Sequence, residues 1–98
     1  MLFRSVGPGL AQFGVTGTLT NPALAVYRGS AVVADNDDWG GGEDLAAAFR
    51  SVGAFALASP ASRDAALLVT LQPGSYTAQL SGVGGTTGVA LIEIYEVP

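Results

Sequence analysis

The sequence predicts an all-β fold, an antiparallel β-sandwich or jelly-roll-like arrangement with one short helical insertion over residues 43–52. Short runs of β-branched and aromatic residues recur along the chain, and glycine or proline turn signals separate them. One window alone shows apolar residues at helical spacing. Because 98 residues match the usual size of one hydrophobic core, we expect a single domain over residues 1–98.

The first half of the chain is predicted to form strands. Residues 2–6 are strand-like and stop at a Gly-Pro-Gly turn, and residues 15–20 are predicted to be irregular or an edge strand. Residues 23–27 and 31–34 flank a short connection that contains Gly29. That pattern is typical of a β-hairpin.

A change of period after residue 42 predicts the helix. Four apolar residues share one helical face: Leu45, Ala48, Phe49 and Val52. Acidic residues in the first turn and an arginine in the last turn match the helix dipole. Gly53 stands where a left-handed C-terminal glycine is expected.

The end of the chain is predicted to form three more strands. Residues 65–71 are apolar on both faces, as expected of a central strand. Residues 76–81 alternate, so Tyr76 and its neighbours at even positions should face the core. Residues 89–95 are predicted to be the last strand.

The composition excludes several kinds of partner. Charged residues make up 12% of the chain, about half the average share, and the net charge is -4. Four arginines and no lysine cannot build the cationic cluster that nucleic acids and anionic membranes require. No apolar run approaches the roughly 20 residues that span a bilayer. We therefore expect no nucleic-acid partner and no membrane insertion.

Two residue types that carry much enzyme chemistry are absent. The chain has no cysteine and no histidine, which removes thiol chemistry and the commonest general base. Asp64, Glu93 and Glu96 could act as paired carboxylates on a glycoside, but one tryptophan and three tyrosines do not indicate an aromatic-lined cleft. We therefore predict that the protein is not an enzyme, and we expect Glu93 to pair with Arg4 or Arg28 across strands.

The loop over residues 35–42 is the most distinctive local feature, and two interpretations remain open. Asp35, Asp37 and Asp38 can supply the hard oxygen ligands that Ca²⁺ prefers, which would make calcium the one cofactor. Alternatively, Asp and Asn side chains bond nearby backbone groups and form a structural corner. In this structural interpretation Trp39 covers the edge of the core. In a binding interpretation Trp39 stacks on a sugar ring.

Seven motifs, spread over nearly the whole chain, carry a family resemblance. They are RSVGPGL at 4–10, FGV at 13–15, NP at 21–22, NDDWG at 36–40, DAALLVTL at 64–71, PGSYT at 73–77 and GVGGTTGVAL at 82–91. With them the chain resembles a β-sandwich module repeated in large exported and cell-surface proteins of environmental bacteria. More distantly, it is similar to the bacterial pre-peptidase C-terminal domains. The resemblance implies a non-catalytic appendage that binds, spaces or anchors.

Two departures from this family suggest how the chain functions. The family module usually has a further strand before the position of Leu2, and it usually belongs to a long exported chain, whereas the first residues here lack the apolar core of a secretory signal. Without the further strand, an open sheet edge is expected at Leu2, Phe3, Arg4, Ser5 and Val6. Open edges recruit strands from other chains. The resemblance thus implies an extracellular or cell-surface location and a homo-oligomer or fibre.

These observations leave two principal candidate functions. The first is a non-enzymatic structural module that self-associates through its first or last strand. The alternative is a calcium-dependent or carbohydrate-binding module that uses the loop from Asp35 to Trp39.

Overall fold

The computed structural model describes residues 1–57 and 59–97. Within them the chain forms six strands and one α-helix, with short 3-10 helices at Pro8–Phe13 and Val83–Gly85. The elements are β1 (Leu2–Val6), β2 (Pro22–Arg28), β3 (Ala31–Asn36), α1 (Glu43–Ser51), β4 (Ala65–Leu68), β5 (Thr77–Gly82) and β6 (Leu91–Tyr95). None of the described helices is long and apolar enough to cross a membrane.

The strands form two antiparallel sheets of three strands each. The β1 sheet has the order β4-β1-β6, and the β2 sheet has the order β3-β2-β5. Phe3 and Ala65 from the β1 sheet pack with Leu24 and Val26 from the β2 sheet, which places one core between the sheets. The all-β, sandwich-like fold with one short helix is confirmed.

The first strand is buried on both faces. Phe3 points toward the β2 sheet, whereas Leu2 and Val6 belong to a second core that α1 closes on the opposite side. All five residues of β1 are buried. A strand that is covered on both faces belongs in the middle of a sheet, and β1 is the central strand.

The prediction of an open edge at Leu2, Phe3, Arg4, Ser5 and Val6 is therefore wrong. β1 pairs with β4 through one hydrogen-bonding edge and with β6 through the other. The prediction of a central strand over residues 65–71 is also wrong, because β4 ends at Leu68 and lies at the edge of the β1 sheet. Its two apolar faces have a different cause: Ala66 faces the α1 core and Ala65 faces the β2 sheet.

The helix predicted over residues 43–52 is observed at Glu43–Ser51, and it lies against the β1 sheet. Ala48 and Phe49 are buried in the core shared with Leu2 and Val6, and Leu45 and Val52 pack at its margin. Gly53 has φ +72°, so the left-handed glycine expected after the helix is present. The predicted hairpin is present as well, with Gly29 at φ +61° between β2 and β3.

The β2 sheet has an inner and an outer face because alternate residues point to opposite sides. Leu24 and Val26 point inward and are buried. Ala23, Ala25 and Tyr27 point outward and are half-buried. The predicted alternation of β5 is also observed, with Tyr76 and Ala78 packed on the inner core.

Candidate functional site

The first candidate site is the free edge of β6. This name denotes the hydrogen-bonding edge of β6 that faces away from β1. In the part of the chain that the structure describes, β6 pairs with β1 alone. Ile94 stands opposite Phe3, and Ile92 stands opposite Ser5, so both isoleucines share the inner face of the sheet. Phe3 is only 3% exposed, whereas Ile92 is 40% and Ile94 is 53% exposed. Inner-facing apolar side chains are thus left uncovered at this edge.

The packing of the sheets explains this exposure. β1 and β4 pack on β2, and β3 packs on β4, so the sandwich is closed on the β3 and β4 side. Among the described residues, β6 makes no comparable contact with any strand of the β2 sheet. Consequently the sandwich is open between β5 and β6, which are edge strands on the same side of the molecule.

A buried ion pair lies on the other face of β6. Arg4 is fully buried, and its Nε lies 3.0 Å from Glu93 Oε1. Its Nη1 donates a hydrogen bond to the Phe55 carbonyl at 2.7 Å, and its guanidinium lies between the rings of Phe49 and Phe55, 4.6 and 4.4 Å from their centroids. Cation–π contact and pairing both stabilise the charge away from water. Of the two predicted partners of Glu93, Arg4 is the correct one.

Tyr95 completes the cluster from the same strand. Its hydroxyl donates to Glu93 Oε2 at 2.5 Å. That hydrogen bond, and secondarily burial, raises the pKa of the Tyr95 hydroxyl above its usual value. Oε2 of Glu93 is therefore hydrogen-bonded within the fold, whereas Oε1 makes an ion-pair contact with Arg4 Nε without a hydrogen bond.

The free edge of β6 lacks the usual defences against pairing. Natural edges are commonly blunted by lysine, proline or a free inward-pointing charge. β6 contains no lysine and no proline, and its one charge, Glu93, is bound by Arg4 and Tyr95. The edge is therefore competent to accept another strand.

The second candidate site is the outer groove, a depression of about 520 Å³ on the outer face of the β2 sheet. Side chains from all three strands of this sheet, and from the residue that follows β3, line it: Ala23, Ala25, Tyr27, Asp35, Asp37, Gln79 and Ser81. The alternation of β3 brings Asp35 and Asp37 to this face and turns Asn36 inward.

The loop predicted as one site is divided between two places. Trp39 packs on Phe49 with ring centroids 5.4 Å apart, and its Nε1 donates to the Ser59 carbonyl at 3.2 Å. It does not line the outer groove. The structure therefore does not bring Trp39 together with Asp35 and Asp37, and Trp39 covers the edge of the α1 core instead.

Asn36 has the structural role that one interpretation of the loop predicts. Its Nδ2 donates to the Asp38 carbonyl at 3.0 Å, and its Oδ1 accepts from the backbone N–H of Ala66 at 3.1 Å. The second bond joins β3 to β4 and so ties the two sheets together. Within residues 1–57 and 59–97, no three acidic, histidine or cysteine side chains are grouped as a metal ion requires. Calcium binding by Asp35, Asp37 and Asp38 stays a prediction.

Asp64 has a structural role that the sequence did not predict. Its buried carboxylate accepts the backbone N–H groups of Gly7 and Gly9 at 2.8 and 3.1 Å, and it also accepts the Ser62 hydroxyl. These bonds fix the turn after β1 against the start of β4. The available signal was the Gly-Pro-Gly turn, whose free N–H groups need an acceptor.

Comparisons with protein-family models, with curated proteins and with solved structures found no match to this chain. The resemblance to a repeated surface module consequently stays a prediction that rests on the seven motifs.

Proposed function

We propose that this protein is a non-enzymatic assembly module that forms a homodimer by pairing two copies of β6. The observation that carries the proposal is the exposure of Ile92 and Ile94, which face inward on an unpaired edge strand. Burying such side chains releases about 25 cal/mol for each Å² removed from water. A second copy of the same strand supplies both the hydrogen bonds and the apolar cover.

The sequence of β6 is complementary to itself in the antiparallel direction. Pairing centred on Glu93 places Ile92 of one copy opposite Ile94 of the other, and the same pair forms twice by symmetry. Leu91 then stands opposite Tyr95 on the other face. Cross-strand pairs of β-branched and aromatic side chains are favourable. Such a contact stops at two chains, because pairing uses the free edge of β6 in both copies.

The central residue of this register is an acid, and like charges opposite each other destabilise a sheet. Here the charge of Glu93 is compensated within each copy by the guanidinium of Arg4, 3.0 Å away. The hydroxyl of Tyr95, on the same strand, donates a hydrogen bond to the other carboxylate oxygen of Glu93. The two glutamates therefore meet as parts of neutral clusters rather than as free anions.

The composition supports association and not catalysis. A chain with 12% charged residues and no lysine has little electrostatic repulsion between copies. It also lacks the histidine and cysteine that most hydrolytic and transfer mechanisms use. An extracellular or cell-surface location belongs to the same proposal and is supported by the resemblance alone.

Light scattering over a wide concentration range tests the proposal. We expect the mass to rise from one chain to two as the concentration increases. Ile94→Lys places a charge on the free edge and should keep the protein monomeric, since edge lysines block pairing. Val32→Lys is the matched control: Val32 is an exposed valine on β3, another edge strand, and its replacement should leave the dimer intact.

Three outcomes would contradict this function. A mass of one chain at every concentration removes self-association altogether. Equal loss of the dimer in both variants would show that Ile94 is not specific to the interface. Growth beyond two chains would show pairing of β6 with a different edge, such as β4, because unlike edges generate open fibres.

A further inference from the structure

The outer groove has a built geometry that the assembly function does not use. In the register of the β2 sheet, Asp35 and Gln79 stand on either side of Ala25, and Ser81 stands beside Ala23. Because neighbouring strands lie about 4.8 Å apart, the two walls are separated by about 10 Å. The floor between them consists of alanine methyl groups, and Tyr27 stands at one end.

The two walls offer different hydrogen-bonding groups. Asp35 and Asp37 present acceptors only, whereas Gln79 and Ser81 present both donors and acceptors. The ion pairs of the described residues join Arg4 to Glu93 and Arg50 to Glu43, so these two aspartates are not engaged in them. The carboxylates of Asp35 and Asp37 can therefore accept hydrogen bonds from a ligand without breaking an ion pair of the described residues.

We propose that the outer groove binds a neutral saccharide of one or two rings. Sugar hydroxyls donate to the carboxylates on one wall and exchange hydrogen bonds with the amide and hydroxyl on the other. The C–H face of a sugar ring packs on the methyl floor of Ala23 and Ala25 and against Tyr27. A volume of about 520 Å³ lies within the usual range of small-molecule sites.

A cationic ligand fits the groove less well. Pairs between exposed carboxylates and ammonium groups contribute little, because water and salt screen them and the side chains lose freedom. The wall formed by Gln79 and Ser81 carries no charge, and a point cation makes no use of the methyl floor. The mixed lining favours a ligand that is both polar and apolar.

Amide chemical shifts of the whole protein, followed during titration, test the site. The probes are maltose, cellobiose and N,N′-diacetylchitobiose, with spermidine as the cationic comparison. We expect at least one disaccharide to shift signals of the groove residues with a millimolar dissociation constant that salt leaves unchanged. If the amide signals of β6 do not shift during the same titration, the groove is separate from the free edge of β6.

Two variants locate the site. Ala25→Leu fills the floor and should weaken disaccharide binding at least tenfold, while Ala31→Leu, an exposed alanine outside the groove, should leave it unchanged. Asp35→Asn keeps a hydrogen-bond acceptor without the charge and should weaken binding less than tenfold. Dispersed spectra of each variant establish that it is folded.

The proposal is overturned if none of the three disaccharides shifts the groove signals, or if Ala25→Leu binds as well as the original chain. It is equally overturned if spermidine alone binds and the binding disappears at high salt. Neither result affects the light-scattering measurement of the β6 dimer, so either proposal can fail while the other stands.

Discussion

The guanidinium of Arg4 and the carboxylate of Glu93 meet at 3.0 Å, with the arginine side chain fully buried and the glutamate side chain 14% exposed. A charge in such a position depends on its partner, because removal of one member leaves the other buried and uncompensated. The pair joins the central strand of the β1 sheet to its edge strand, so its loss affects β6 directly.

Replacement of Arg4 by methionine should lower the free energy of unfolding by about 3 kcal/mol, since breaking a buried pair typically costs 3 to 5 kcal/mol. Urea unfolding measures the change. Arg50→Met is the matched control, because Arg50 and Glu43 form a pair whose side chains are 67% and 86% exposed. That variant should stay within about 0.5 kcal/mol of the original. Equal effects of the two substitutions would contradict the assigned role of Arg4.

The stability of the protein should fall as the pH rises above about 10, the usual pKa of tyrosine. The Tyr95 hydroxyl is a hydrogen-bond donor to Glu93, and this bond, together with burial, raises its pKa in the folded state. The folded chain therefore holds the proton more tightly than the unfolded chain, and the stabilisation is lost as the pH passes through the raised pKa.

The matching experiment compares urea unfolding at neutral and alkaline pH for the original chain, Tyr95→Phe and Tyr76→Phe. Tyr95→Phe should be less stable at neutral pH and should show a smaller alkaline loss. Tyr76→Phe is the matched control for the loss of a tyrosine hydroxyl that donates a hydrogen bond, because the Tyr76 hydroxyl donates to the Gln72 carbonyl. An alkaline loss that is the same in all three proteins would show that Tyr95 is not its source.

Asp64→Ala should destabilise the fold by about 3 kcal/mol. The substitution leaves the buried N–H groups of Gly7 and Gly9 without their acceptor, and each unsatisfied buried group costs about 1 to 3 kcal/mol. Thermal and urea unfolding give the value. Asp38→Ala removes an exposed carboxylate and should change stability by less than about 0.5 kcal/mol. A cost for Asp64→Ala no larger than that of the control would refute the role assigned to this acid.

Calcium should raise the melting temperature if Asp35, Asp37 and Asp38 hold the ion that the sequence predicts. Asp35 and Asp37 lie on the outer face of the β2 sheet, and Asp38 follows Asp37 in the chain. A bound ion would stabilise the folded state by mass action, so thermal unfolding with excess calcium and then with a chelator measures it. A rise that Asp37→Asn abolishes would support the calcium prediction, and an unchanged melting temperature would contradict it.

The parts of the fold that depend on neighbours in the chain could be predicted from sequence. Gly29 marks the hairpin and Gly53 marks the helix end, because both positions require positive φ that glycine adopts easily. The core face of α1 follows from the spacing of its apolar residues. Each of these signals lies within a few residues of the structure it specifies.

The order of the strands could not be predicted in the same way. The sequence of residues 2–6 is compatible with a central or an edge strand, and its position depends on pairing with partner residues in β4 and β6 that lie at least 60 positions away in the chain. The same limit applies to the outer groove. Alternation places Asp35 and Asp37 on one face, but Ala25 and Gln79 become their neighbours only when three separate strands assemble.

The outer groove and the free edge of β6 belong to different sheets, and this separation has a geometric consequence. Antiparallel pairing of two β6 strands has its two-fold axis perpendicular to the sheet, so both copies turn the same face to the same side. The two outer grooves of such a dimer then point in one direction. A polysaccharide surface would meet two sites at once, and the second contact would form at millimolar effective concentration. Weak individual binding would thereby become firm attachment, which a monomer could not achieve.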